Sequence, residues 1–325
     1  MTTVSFNPFL HYSNQLQALF VKAINQKNPA VWLYQNDART LLFMLEGLTH
    51  LHQEAFEDTL FKKWNGRFKK LEDALGRIDY YFMFEKEFKT NKKISKKTLD
   101  VFLNDYQKCS ETLNKRLKDK KWLEGKLFSF NVKIDKYLII YDDEYITDLK
   151  NAITLEIRKI KTVALSLNYS FTEIESEVHE MRRKLRWISI YAHALNGLIQ
   201  LKKSTKKPHY SINYETKEIL KSPFNKLSVK PENASIIELD KNSFLALSWI
   251  INELGRLKDA GLKTQALTKA LMQSEKINEQ QATEKAIGIL GLKKDSEQLI
   301  LKEASDIIYK FIVKDKILNT LLIKS

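Results

Sequence analysis

Long apolar runs with a period near 3.6, interrupted by only 9 glycines and 5 prolines in 325 residues, leave this chain little choice but helix. Helices of that kind must bury their apolar stripes against one another, so an all-α architecture of antiparallel bundles is expected, with strand-like alternation scarce. The pattern predicts helices over 10–26, 37–52, 53–86, 95–121, 142–167, 171–201, 243–258, 262–273, 279–290 and 295–322. Ser170 or Thr172 ahead of Glu173, and Asn242 or Ser243 ahead of the run Phe244–Leu254, are the expected N-terminal caps. Gly261 reads as a helix stop or a tight turn between helices. The stretch 129–145 fits either a short strand or a buried connection. The longest interruption, 202–242, holds Pro208, Pro223 and Pro231 and suggests a small hairpin between Tyr210 and Leu220. It exceeds an ordinary helix connection, and Lys202, Lys203, Lys206 and Lys207 stand at its root.

One helix, over Val178–Asn196, ties charge to this scaffold. His179, Arg182, Arg183 and Arg186 fall at i, i+3, i+4 and i+7, within an arc of roughly 100°, while Val178, Met181, Leu185 and Ile188 face the other way. Arginine brings a permanent charge and a planar fork of donors, and histidine a further donor, which is what an anion-binding groove needs. A solvated face opposite a core stripe has the same pattern. A second stripe, Lys63, Arg67, Lys70 and Arg77, lies opposite Phe61, Trp64, Phe68, Leu71 and Leu75. The cluster Lys115–Lys121 reads as an exposed helix end, where cations suit the negative pole. Against 40 Asp+Glu, 54 Lys+Arg leave a formal +14, a field that draws polyanions without naming one: nucleic acid, polyphosphate, lipid headgroups or an acidic protein.

Other classes are disfavoured. The single cysteine, Cys109, excludes an intramolecular disulfide framework and a Cys-rich zinc site, and is expected to be a small buried hydrophobe. The N-terminal residues lack the pattern of a secretory signal, and no run of about 18 apolar residues is present, so a soluble cytoplasmic protein is expected. The chain carries no Gly-rich phosphate loop, dinucleotide fingerprint, zinc-protease motif or nucleophile elbow, so neither an enzyme nor a cofactor is expected. His11, His193 and His209 are isolated, and His50 and His52, at i and i+2, point to different helix faces, so no metal site is expected. Asp142, Asp143 and Glu144 read as a helix start favoured by its dipole.

An internal echo adds to this. Lys69–Tyr81 (KKLEDALGRIDYY) and Trp249–Gly261 (WIINELGRLKDAG) both place Leu-Gly-Arg after a helical apolar pattern, with an aspartate soon afterwards. Their separation far exceeds the ~20–50 residues of a solenoid repeat and suggests a duplicated helical half. Together with the His-centred basic helix, the echo makes the chain resemble the CHAD (conserved-histidine α-helical domain) family over nearly its whole length. The resemblance implies a single domain of two pseudo-symmetric helical bundles, about 1–150 and 151–325 with the 202–242 insertion, that binds inorganic polyphosphate through a basic central surface. The family's His-x-x-Arg-x-x-x-basic core falls on His179, Arg182 and Arg186. Its Leu-Gly-x-x-Arg-Asp element falls on Leu254, Gly255, Lys258 and Asp259, with lysine for arginine and Asp259 orienting a cation. The first half departs from the pattern. After His50 and His52, Ala55 and Thr59 replace the expected arginines, and Asp79 comes one position early.

The expected function is therefore non-enzymatic binding of a polyanion, foremost inorganic polyphosphate, in a basic groove between the halves. His179, Arg182, Arg183 and Arg186 form its centre, with Arg256 and Lys258 nearby and Lys63, Arg67, Lys70 and Arg77 as a second wall. The alternatives are a nucleic-acid binder, for which Trp187 or Tyr191 would stack bases, and a helical interaction scaffold whose charges only solvate it.

Overall fold

A computed structural model describes residues 7–136, 142–204, 208–232 and 234–322. In chain order its helices are α1 (Pro8–Ala23), α2 (Pro29–Gln35), α3 (Ala38–Phe56), α4 (Thr59–Phe88), α5 (Lys96–Asp119), α6 (Phe128–Lys136) and α7 (Asp143–Ser166). There follow α8 (Glu180–Ala194), α9 (Lys217–Lys221), α10 (Lys241–Glu275), α11 (Glu279–Leu290), α12 (Ser296–Tyr309) and α13 (Ile317–Thr320). Among the described residues the strands are β1 (Ile199–Lys202) and β2 (Ile237–Asp240), a parallel pair with Ile199 opposite Ile237. The all-α class expected from the periodicity holds. No helix among the described residues is long and apolar enough to cross a membrane.

The chain forms two compact units. The first comprises the described residues within 1–50, 58–139 and 263–294, and the second those within 51–57, 140–262 and 295–325. Residues 263–294 thus lie late in the sequence and pack within the first unit.

Aromatic side chains dominate the first unit's core. Phe9 of α1 stacks on Phe61 of α4 at 5.3 Å between ring centroids, and Trp64 meets Phe130 of α6 at 4.8 Å. A second cluster joins Phe88 and Phe102 to Ala266, Leu267, Ala270 and Leu271 of α10 and to Ala282 and Ala286 of α11. The small residues on α10 and α11 let the large rings of α4 and α5 sit close without overpacking. In the second unit, Ile146, Leu149, Ile153, Ile157 and Ile160 bury one face of α7, and Met181, Leu185 and Ile188 bury the apolar face of α8, as their periodicity requires. Tyr214 fills a site between Trp249 and Phe311, and its hydroxyl donates to Asp315 at 2.6 Å.

Several local expectations change. Glu57, in the left-handed conformation at φ 50°, separates α3 from α4, so the break falls after Phe56 instead of His52. Phe128–Lys136 is helical, which settles that part of the ambiguous 129–145 stretch; 137–141 lies outside the described residues. No hairpin forms over 210–220. A 3-10 turn over His209–Asn213 and the short α9 stand there, with Tyr214 and Ile219 turned inward. Lys206 and Lys207 lie outside the described residues.

Gly261 neither stops nor turns the chain, because α10 runs through it without interruption. A Cβ there would lie 2.8–3.0 Å from the side chain of Ile174, so this glycine serves close packing. Neither Ser170 nor Thr172 caps the next helix; the Glu177 carboxylate accepts from the Thr172 and Glu173 amides instead. At the start of α10 the capping group is Asp240, whose Oδ1 accepts from the Ser243 amide at 2.8 Å. The predicted helix 171–201 is in fact a wide turn over Ile174–His179 followed by α8, ending before Gly197 at φ 105°. Likewise, 295–322 is broken by a wide turn over Lys310–Lys314 and by Lys316 at φ 53°.

Candidate anion-binding faces

In the second unit the basic stripe is built where the wide turn over Ile174–His179 enters α8. Ile174, Val178, Met181 and Leu185 anchor its inner side, and the cations emerge on the other. Most of these cations are already engaged. His179 Nδ1 donates to Glu175 at 3.1 Å, and Arg183 Nε lies 2.7 Å from Glu180. Arg256 donates to Glu253 and Glu303, and these carboxylates raise its pKa. Lys258 pairs with Asp259 at 2.6 Å. Arg186 is half-buried on the same helix.

Arg182 has a different place. Its Nε donates to the Ile251 carbonyl of α10 at 3.0 Å, and its guanidinium lies against Gly255, where a Cβ would stand 2.9 Å from Nε. Burial lowers its pKa, and the nearby Asp259 opposes that shift. Arg182 thus joins α8 to α10, and its Nε is directed at protein.

A matching arrangement occurs in the first unit. Arg39 of α3 lies against Gly76, where a Cβ would stand 2.7 Å from a guanidinium nitrogen. Its Nε donates to Glu72 at 2.7 Å and a terminal nitrogen to Asp79 at 2.8 Å, while Tyr34 donates to the other Asp79 oxygen. In each unit the guanidinium covers the glycine of Leu-Gly-Arg and bonds to the residue four positions before it. Sequence reasoning missed Arg39. The available signal was an arginine opening the apolar run of α3, with no acidic residue at i+3 or i+4 to pair with. By contrast, His52 is buried in the second unit and shares a 2.7 Å hydrogen bond with the Tyr145 hydroxyl, a core role.

The first unit also collects cations that bond to few acids. Lys70 and Arg77 of α4 line a cleft of about 210 Å³ with Lys108 and Arg116 of α5. Arg116 donates to the Lys70 carbonyl at 2.8 Å, which holds the two helices' cations side by side. Asp73 is the acid in this lining, and it is paired with Lys69 at 3.1 Å. Lys108 stands 3.6 Å from Asp105.

Further along the same helices, Arg67 lies over the Trp64 ring at 4.5 Å, which fixes its direction. Burial, and then repulsion from Arg67, Lys120 and Lys63, lowers the pKa of Lys126. Lys63, Arg67, Lys70 and Arg77 are therefore joined by Lys108, Arg116, Lys120 and Lys126 along α4, α5 and the turn after α5. The last four were absent from the expected site. Their spacing at 108, 116 and 120 is the available signal, while the cluster at 115–121 by itself reads only as a helix end. Cys109 is half-buried in the cleft, and burial raises its thiol pKa, so it is no activated nucleophile.

A larger hollow in the second unit, about 540 Å³, lies between the 168–172 loop and α12. Its one lysine, Lys302, is paired with Asp306 at 2.6 Å, so it offers an anion little. Among the described residues no group of three or more His, Cys, Asp or Glu is placed to hold a metal ion. Comparison with protein-family models, curated proteins and solved structures gives no match.

Proposed function

We propose that this protein is a non-enzymatic polyanion-binding module whose ligand is inorganic polyphosphate, held along the basic seam of α4 and α5. The observation that carries this reading is the cleft lined by Lys70, Arg77, Lys108 and Arg116, whose one lining acid among the described residues, Asp73, already has a lysine partner, with Asp105 beside Lys108 as a further acid. Like charges brought this close repel, and an anionic chain relieves that repulsion along its length. Arginine supplies bidentate hydrogen bonds to phosphate oxygens and lysine supplies adaptable charge. Among the described residues the cleft lining contains no aromatic ring, so the cleft itself offers phosphates much and bases little to stack on. On α8 and α10, Arg183 and Arg256 already face Glu180, Glu253 and Glu303, while Arg182 is committed to the fold.

Titration with defined-length polyphosphate, and with single-stranded and duplex DNA of equal total charge, tests the reading at near-physiological salt. Polyphosphate is expected to bind more tightly than either DNA. Lys70→Glu/Arg77→Glu, still helical by circular dichroism, is expected to lose at least about tenfold in affinity, since binding of this kind sums over neutralised charges. Equal affinity for all three polyanions, or an unchanged affinity in the double variant, would refute the assignment.

A further inference from the structure

The excursion between β1 and β2 contains a surface that the anion-binding seam does not use. Residues 224–229 lie along the end of α8 and are held by their backbone: His193 Nε2 donates to the Phe224 carbonyl at 2.8 Å, and Gln200 Nε2 to the Ser228 carbonyl at 3.0 Å. Gly197, at φ 105°, lets the Val229 carbonyl approach where any Cβ would collide with it. With carbonyls inward, the side chains point out: Phe224 is 67% exposed and Val229 90%. Just before them, α9 buries Ile219 and leaves Leu220 52% exposed, and Asn225 ties this turn down by donating to the Ile219 carbonyl at 2.7 Å. The apolar side chains are thus displayed by anchored backbone. Interleaved with them are Lys217, Lys221, Lys226 and Lys230, all on the outer side, against Glu218.

We propose that Lys217–Lys230 is a reversible docking surface for an anionic lipid bilayer, with Leu220, Phe224 and Val229 entering the interface and the lysines meeting lipid phosphates and carboxylates. The composition selects this occupant. Protein interfaces are depleted of lysine at their cores, and here lysines alternate with the apolar residues throughout. A bilayer interface accepts that alternation, because long lysine side chains reach headgroups while short apolar ones sink below them. Neither element suffices alone, and together they give a weak, salt-sensitive association.

The test is co-sedimentation of the full chain with phosphatidylcholine vesicles with and without phosphatidylserine. Binding is expected only with phosphatidylserine. Leu220→Ser/Phe224→Ser/Val229→Ser should weaken it at least about tenfold, and Lys221→Gln/Lys226→Gln/Lys230→Gln by roughly fivefold per lysine removed. Because the anchors are backbone carbonyls, these variants should keep the wild-type circular dichroism. As an independent readout, Phe224→Trp should gain fluorescence that brominated lipid quenches. Lys70→Glu/Arg77→Glu should bind vesicles as the wild type does, which separates this surface from the polyphosphate seam. The proposal fails if phosphatidylserine vesicles are not bound, or if the apolar triple variant binds them undiminished. It also fails if Phe224→Ser instead abolishes a concentration-dependent self-association, since the surface would then fit a second copy of the chain.

Discussion

Gly76 and Gly255 owe their place to arginines that arrive from other helices. In a helix interior glycine costs about 0.5–1 kcal/mol relative to alanine, so a mid-helix glycine with free space around it is a simple loss. Gly66 is of that kind, since a Cβ added there would meet nothing within 4 Å, and Gly66→Ala should stabilise the protein by that amount in urea denaturation. Gly255→Ala should do the opposite, because its Cβ would push Arg182 off the Ile251 carbonyl and cost the largely buried guanidinium that hydrogen bond. A loss of about 1–2 kcal/mol is expected. In an Arg182→Met background the same substitution should become neutral or stabilising; a loss of equal size in both backgrounds would show that the guanidinium is not the reason for the glycine.

The Leu-Gly-Arg echo was legible as text, but its cause was not. It depends on Arg39 and Arg182 meeting glycines far along the chain, and no local periodicity reports such a contact. Lys70 and Arg77 were legible for the converse reason, as they share a stripe on one helix. Lys108 and Arg116 are not legible in the same way, because they join that stripe only once α5 packs on α4.

Among the elements, α10 shows how a cap sets a register. Asp240 is buried, and its Oδ1 accepts from both the amide and the hydroxyl of Ser243, each at 2.8 Å. Asp240→Ala strands that amide and should cost about 1–2 kcal/mol in urea denaturation. Asp240→Asn, whose Oδ1 can still accept from that amide, should cost clearly less. Equal losses would deny Asp240 the capping role. Most helices here were legible from their apolar period, since aromatic and aliphatic residues recur on one face over many turns. The failures lie where a single residue's environment decides. Gly261 carried a stop signal that Ile174 turns into a packing requirement, and Glu57 breaks the chain in a conformation its side chain does not announce. The text over 210–220 resembles a hairpin, yet Tyr214 and Ile219 turn inward from two short helical turns while Ile212 stays exposed, so no period-2 face forms.

For the whole molecule, the formal +14 is less informative than where its charges lack acids. On α8 and α10 the cations come with Glu175, Glu180, Glu253, Glu303 and Asp259. In the α4–α5 cleft Lys70, Arg77, Lys108 and Arg116 share a lining whose one acid among the described residues is Asp73, and further along Lys126 is repelled by Arg67, Lys120 and Lys63. Net charge alone would make every exposed lysine and arginine equivalent in attracting a polyanion, whereas a built seam makes a few of them dominate. Salt distinguishes these cases, because each phosphate contact releases counterions and steepens the dependence of affinity on ionic strength.

The decisive measurement is the slope of log affinity for polyphosphate against log salt concentration, in the wild type and in two triple variants. Lys70→Ala/Arg77→Ala/Arg116→Ala should make the slope shallower by roughly 0.7–1 for each cation removed. Arg183→Ala/Arg256→Ala/Lys258→Ala should leave it close to the wild-type value. Equal slopes in all three proteins, or a shallower slope only in the second variant, would contradict a polyphosphate site on the α4–α5 seam.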